Sequence, residues 1–150
     1  MASLTSKHLS AQATFTNNLA NLFHMHQFVR RAAIDAGFSN VPLGDIELAI
    51  VEACANVVKH AYRNTPPDQG KIAISVTARA DGFEVCLTDW GEPFDPPKGR
   101  VPRPDIERMV IEGQRGGMGI FFMQSLMDEV TWDIRPGEQN QLRMIKRVTA

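Results

Sequence analysis

The feature that most limits what this chain can fold into is a change of apolar period near its middle. From Leu19 to about Arg63 the apolar residues recur at helical spacing; from Ile72 to Leu87 they alternate. Ile72, Ile74, Val76 and Ala78 are separated by smaller or polar residues, Asp81-Gly82 is a common tight-hairpin pair, and Phe83, Val85 and Leu87 continue the alternation on a return strand. A hairpin brings its second strand back antiparallel. A doubly wound parallel sheet needs strands that alternate regularly with crossover helices, and this sequence does not supply them.

The remaining segments fit around that hairpin. Residues His8–Thr16 alternate loosely and predict a first strand. Leu19–Gly37 carries Leu22, Phe23, Phe28, Val29, Ala32 and Ala33 at helical spacing, with Gly37 as the C-terminal stop. A second helix is expected from Asp45, a good N-cap type, to about Arg63, ending before Asn64-Thr65-Pro66-Pro67. Gly91–Pro104 is dense in Pro and Gly and predicts a loop. Asp105–Glu112 predicts a short helix ended by Gly113, and Gly116–Gly119 opens onto an apolar helix, Ile120–Met127. Two last strands, Glu129–Arg135 and Gln141–Val148, flank the turn Pro136-Gly137-Glu138. The expected fold is one α+β domain over residues 1–150: a two-layer sandwich whose mixed, mostly antiparallel sheet is covered by helices on one face.

Bulk properties narrow the function classes. A net charge of −1, with both signs mixed along the chain, gives no sequence-independent hold on nucleic-acid phosphates, so a regulator built this way would act on proteins. Cys54 and Cys86 sit in apolar runs without metal-ligand spacing and are expected to pack as small hydrophobes. The N-terminal residues lack the apolar core of a signal peptide and no segment reaches the length of a membrane span, which makes the cytoplasm the expected location and a membrane partner unexpected.

Three short segments carry candidate chemistry. In the second helix Glu52, Asn56, Lys59 and Arg63 are spaced four, three and four and share one stripe; the plainer reading is the wet face of an amphipathic helix. Thr88-Asp89-Trp90-Gly91 ends the returning strand with an acid, which either begins a turn or accepts a hydrogen bond from a purine amine. Gln114-Arg115-Gly116-Gly117-Met118-Gly119 leads into a helix, where glycines let backbone amides approach an anion and Arg115 adds a forked cation; a flexible turn is the alternative. The glycines fit neither the dinucleotide-binding fingerprint nor a P-loop. Each segment is ambiguous alone, whereas their order and spacing are not.

An Asn-bearing helix, a strand ending Asp-x-Gly, and a loop closing with Gly-x-Gly before a helix resemble the N, G1 and G2 boxes of the GHKL, or Bergerat-fold, ATPases. Within that superfamily Glu52-Ala53-Cys54-Ala55-Asn56-Val57-Val58-Lys59-His60-Ala61-Tyr62 and Gly116–Ile120 followed by Met123–Val130 are similar to the anti-sigma-factor serine/threonine kinases of bacterial partner-switching systems. The resemblance spans nearly the whole chain.

It implies Mg-ATP as the bound nucleotide and Glu52 as the general base that takes a proton from an acceptor hydroxyl. It also implies Asn56 as the Mg²⁺ ligand, Lys59 at the phosphate tail, and Asp89 reading the adenine amine with Gly91 leaving room for the base. Arg115, Gly117, Met118 and Gly119 would cradle the β- and γ-phosphates. The implied partners are a STAS-type anti-anti-sigma factor, which would be phosphorylated, a sigma factor or similar target, which would be sequestered, and a second copy of the chain. Pro93 stands where the wider superfamily has the second G1 glycine, and the Glu92 carboxylate would be unhelpful near a triphosphate. Two other readings stand beside this one: a binding module of the same fold without catalysis, and a detached histidine-kinase catalytic domain, which Glu52 in place of Asn disfavours.

Overall fold

The computed structural model describes residues 9–113 and 118–148. Strand β1 (Leu9–Thr16) leads to helices α1 (Asn21–Asp35) and α2 (Asn40–Asn56), and α2 runs directly into a π-helical turn (Val57–Ala61). Strands β2 (Lys71–Ala78) and β3 (Gly82–Asp89), helices α3 (Ile106–Glu112) and α4 (Gly119–Leu126), and strands β4 (Glu129–Arg135) and β5 (Gln139–Arg147) complete the order. The described strands form one sheet in the order β1-β2-β3-β5-β4, and every pairing is antiparallel. This is the expected α+β sandwich, with no parallel pair among its described strands.

Strict alternation explains why one sheet face is covered. Ile72, Ile74, Val76 and Ala78 on β2, Phe83, Val85 and Leu87 on β3, and Leu142 and Met144 on β5 point the same way and are buried. Met25, Val29 and Ala33 of α1, Ile46, Ala49, Ile50 and Ala53 of α2, and Met123 of α4 complete the core. Each fully buried isoleucine in this layer contributes about 1.5–3 kcal/mol. The other sheet face carries polar side chains such as Ser75, Thr77 and Thr88. On that face Glu84 lies between Arg143, at 2.7 Å, and Arg79, at 3.3 Å. Both cysteines are free. Cys54 is core, where burial pushes its thiol up to about 12; Cys86 is only half-buried, on the polar face, because its strand neighbours Val85 and Leu87 take the inward positions.

The ends of the elements show which local signals held. Gly37 adopts φ 99° after α1. The N–H groups of Gly37 and Phe38 bond to Ile34 O at 2.9 Å and Ala33 O at 3.0 Å, a Schellman stop. Helix α2 starts at Asn40 rather than Asp45, with Pro42 in the first turn, where a missing N–H costs nothing. The hairpin tip is Ala80-Asp81 instead of Asp81-Gly82: Arg79 N donates to Gly82 O at 2.9 Å and Gly82 N donates to Arg79 O at 3.4 Å. Gly82 belongs to β3 and serves the sheet, since a Cβ there would lie 2.9 Å from Lys146 O on β5. On the polar side of α1, His26 and Arg30 pair with Glu47 of α2 at 2.9 and 2.8 Å, while His24 and Arg31 are exposed.

Candidate functional site

Glu52 and Asn56 lie one turn apart on α2 and fall on one stripe. The stripe does not reach Lys59. At Val57 the helix widens into the π turn, closed by Tyr62 N on Val57 O at 3.1 Å, and a turn with an extra residue sets back the phase of the residues after it. Lys59 is exposed and lies off the adjoining cavity, whereas Asn56, Val57, His60 and Ala61 line it.

That cavity, about 360 Å³, sits between α2 with its π turn, α4 and the ends of β3, β4 and β5. Asp89 is at its buried end. The Asp89 Oδ1 atom accepts from Asn140 Nδ2 at 2.8 Å and from Gly91 N at 2.9 Å. Among the described residues no donor meets Oδ2. Burial raises the Asp89 carboxyl above the ordinary value, and the Asn140 and Gly91 hydrogen bonds pull it partly back. Gly91 lies against the π turn: a Cβ there would be 2.4 Å from Ala61 O, and the next residue, Glu92, donates its N–H to that carbonyl at 2.7 Å. Gly91 is therefore required by this backbone contact.

The other end is closed by α4. Gly119 is its first residue, and a Cβ on it would stand 3.0 Å from Glu52 Oε2 and 3.2 Å from Asn56 Nδ2. Packing of α2 against α4 thus brings Glu52, Asn56 and Gly119 together. Met118 precedes the helix, and its carbonyl accepts Phe122 N at 3.0 Å. Arg115 and Gly117 lie outside the described residues. Gln124 on α4 fastens the Pro/Gly-rich segment, accepting from Val101 N at 2.8 Å and donating to Gly99 O at 3.0 Å.

Comparison with known proteins decides the family. The model for the histidine kinase-like ATPase domain matches residues 15–146. The chain belongs to this family. It is 34% identical over 104 residues to the serine-protein kinase RsbW of Bacillus licheniformis, covering 67% of this chain and 63% of that protein. It is 32% identical over 99 residues to the serine-protein kinase RsbW of Bacillus pumilus, covering 63% and 59%. The matched region therefore spans about three-fifths of these relatives' length. Among solved structures, the RsbU and RsbW domains of Rv1364c from Mycobacterium tuberculosis share the fold, with TM-score 0.63 at 16% identity over 95% of this chain and 34% of that one.

A histidine kinase-like ATPase domain needs room for a nucleotide, and the residues present fit one. The cavity volume is at the lower end for small-ligand sites, its walls include Leu87, Ile120, Met123 and Leu142, and its buried end offers an acceptor, Asp89 Oδ2, without a protein donor among the described residues. Two contributors escape a reading of the sequence. Asn140 on β5 pairs directly across from Asp89 in the β3–β5 register, and its Nδ2 also meets Gly91 O at 3.1 Å. All three neighbours of that nitrogen are acceptors, which fixes the orientation of the amide. A signal for it exists: Asn140 is in phase with the inward Leu142 and Met144, but the strand expected from Gln141 begins one residue too late to include it. Tyr62 is the second. Its hydroxyl donates to Lys71 O and accepts Trp90 N at 2.9 Å, anchoring the end of β3 that carries Asp89.

Proposed function

We propose that this chain is an ATP-dependent serine/threonine protein kinase that doubles as an anti-sigma factor. It phosphorylates a small STAS-type antagonist and, in its other state, sequesters a sigma factor or similar target as a homodimer. One observation carries the reading: a single cavity in a histidine kinase-like ATPase domain has the buried acceptor Asp89 at one end and Asn56 and Gly119 at the other, with Glu52 Oε2 beside Gly119, 3.0 Å from where its Cβ would stand. Similarity to serine-protein kinases named RsbW supports the reaction class.

In this reading Asp89 Oδ2 accepts from the adenine amine, while Asn140 and Gly91 hold its partner oxygen. Glu52 takes the proton from the incoming hydroxyl, a role that one carboxylate within reach suffices to fill. Asn56 supplies a ligand to Mg²⁺, which when bound offsets phosphate charge. Among the described residues no three His, Cys, Asp or Glu side chains converge into a metal site of their own. One amide ligand combined with nucleotide phosphates and water is a common way to hold this ion. Arg115, Gly117 and Met118 cradle the phosphate tail together with the α4 N-terminus at Gly119, where backbone N–H groups favour anions. Lys59 reaches the tail only from outside the cavity.

The test is phosphate transfer from Mg-ATP to candidate STAS-domain antagonists, with Glu52→Ala alongside. Transfer by the wild type and none by the variant is the expected result. Equal inertness of both, with ATP bound, would identify a binding module instead. Among the described residues no helix is long and apolar enough to cross a membrane.

A further inference from the structure

Glu92 is tethered on every side. Its N–H donates to Ala61 O at 2.7 Å and its carbonyl accepts from Asn140 Nδ2 at 3.4 Å. Its carboxylate accepts Asn64 Nδ2 on both oxygens, at 3.2 and 3.1 Å, and lies 3.0 Å from Arg63 Nε. Glu92 and Arg63 both line the cavity that contains Asp89. The carboxylate that the sequence sets near a triphosphate is therefore engaged with a cation and an amide at the cavity edge.

Stability does not explain so many tethers, because a half-exposed ion pair of this kind contributes little to folding. Position does. Arg63 follows the π turn, and its partner Glu92 is tied to Ala61 O and to Asn140, which also holds Asp89, so the pair sits at the Asp89 end of the cavity. The ion pair at Nε keeps the guanidinium beside Glu92 at the cavity edge, and a planar, weakly hydrated cation stacks well on aromatic faces. Lysine has no such plane.

We propose that Glu92 is a positioning residue that holds the Arg63 guanidinium across the mouth of the cavity, where it stacks on the base of the bound nucleotide. The proposal rests on the nucleotide-binding reading above. It turns the Glu92-Pro93 departure from the glycine pattern into part of the base site: Pro93 stiffens the segment that carries the latch.

Calorimetry with ATP on the wild type, Glu92→Gln, Arg63→Gln and Arg63→Lys tests it, with thermal melts as the folding control. The expected result is ATP binding weakened about three- to thirtyfold in all three variants, the range of a cation–aromatic contact. Melting temperatures should hold, and Lys should give no rescue. Tighter binding by Glu92→Gln would overturn the latch, since the carboxylate would then be repelling phosphates. Full affinity in Arg63→Lys would overturn it too, because charge alone would suffice. Unchanged affinity in every variant overturns the latch and leaves the nucleotide reading standing; no ATP binding by the wild type overturns both. If Arg63→Lys melts early, the sign of the Glu92→Gln effect decides.

Discussion

The two ends of the cavity are built in opposite ways. At the Asp89 end nearly every polar atom has a fixed partner: Asn140, Gly91 N, the Tyr62 hydroxyl on Trp90 N, and the Ala61 carbonyl on Glu92 N. At the Glu52 end, Glu52, Asn56 and Gly119 are assembled by the packing of α2 on α4, and among the described residues no hydrogen bond joins the three. A site that reads a flat, rigid base gains when its groups are already held in place. A site that takes up a proton and a flexible phosphate tail needs groups free to adjust. Substitutions of the buried groups at the first end should therefore cost stability as well as binding, those of the half-exposed Arg63–Glu92 pair binding alone, and those at the second end rate alone.

The largest effect expected is at the second end. Glu52→Gln should slow phosphate transfer by about 10²- to 10⁴-fold, the usual contribution of a positioned base, with nucleotide affinity and melting temperature nearly unchanged. Single-turnover transfer and calorimetry measure both parts; a parallel loss of ATP affinity would break the contrast. At the first end, Asp89→Ala should weaken ATP roughly ten- to hundredfold, the scale of a hydrogen bond to a charged group. Calorimetry checks it.

Two glycine substitutions set the ends against each other directly. Gly91→Ala places a Cβ 2.4 Å from backbone Ala61 O, which cannot yield without moving the π turn. A loss of about 1–3 kcal/mol in urea unfolding is expected. Gly119→Ala meets only the tips of Glu52 and Asn56, at 3.0 and 3.2 Å, and these side chains can swing. Its stability should hold, since Gly119 opens the helix without a positive φ and alanine is tolerated there, while transfer slows. Reversal of this pair would mean that the α2–α4 contact, and not the π turn, is the rigid part.

The finest test is in the pH dependence. Burial raises the Asp89 carboxyl, so the folded protein holds that proton more tightly than the unfolded chain. This group therefore favours folding most below the ordinary carboxylate range, and the contribution is lost as pH rises through its raised value. Nucleotide binding runs the other way, because the amine needs the ionised oxygen. It should fall as pH drops, starting above the range of an exposed aspartate. Asn140→Ala removes a donor to the charged form and should move that fall-off to higher pH, a small displacement readable in calorimetric titrations at stepped pH.

Much of the molecule is legible without its structure. The change of period places the hairpin and excludes a wound parallel sheet, Gly37 and Gly113 mark real helix ends, and the order of the three boxes points to the family that the domain match establishes. These signals are local: alternation, propensity and positive-φ glycines act over a few residues and need no distant partner.

Tertiary structure decided the rest. It took Lys59 off the Glu52–Asn56 stripe, because the π turn, which packs against Gly91, sets back the phase of the residues after it. It joined Asp89 to Asn140 across 51 residues, because a cross-strand register is set by the whole sheet. It also gave the Glu92 carboxylate to Arg63 and Asn64, whereas the sequence could only set it beside a triphosphate. In each case the spacing along the chain was readable, and the phase or pairing that turned spacing into a site was fixed by contacts with elements far away in sequence.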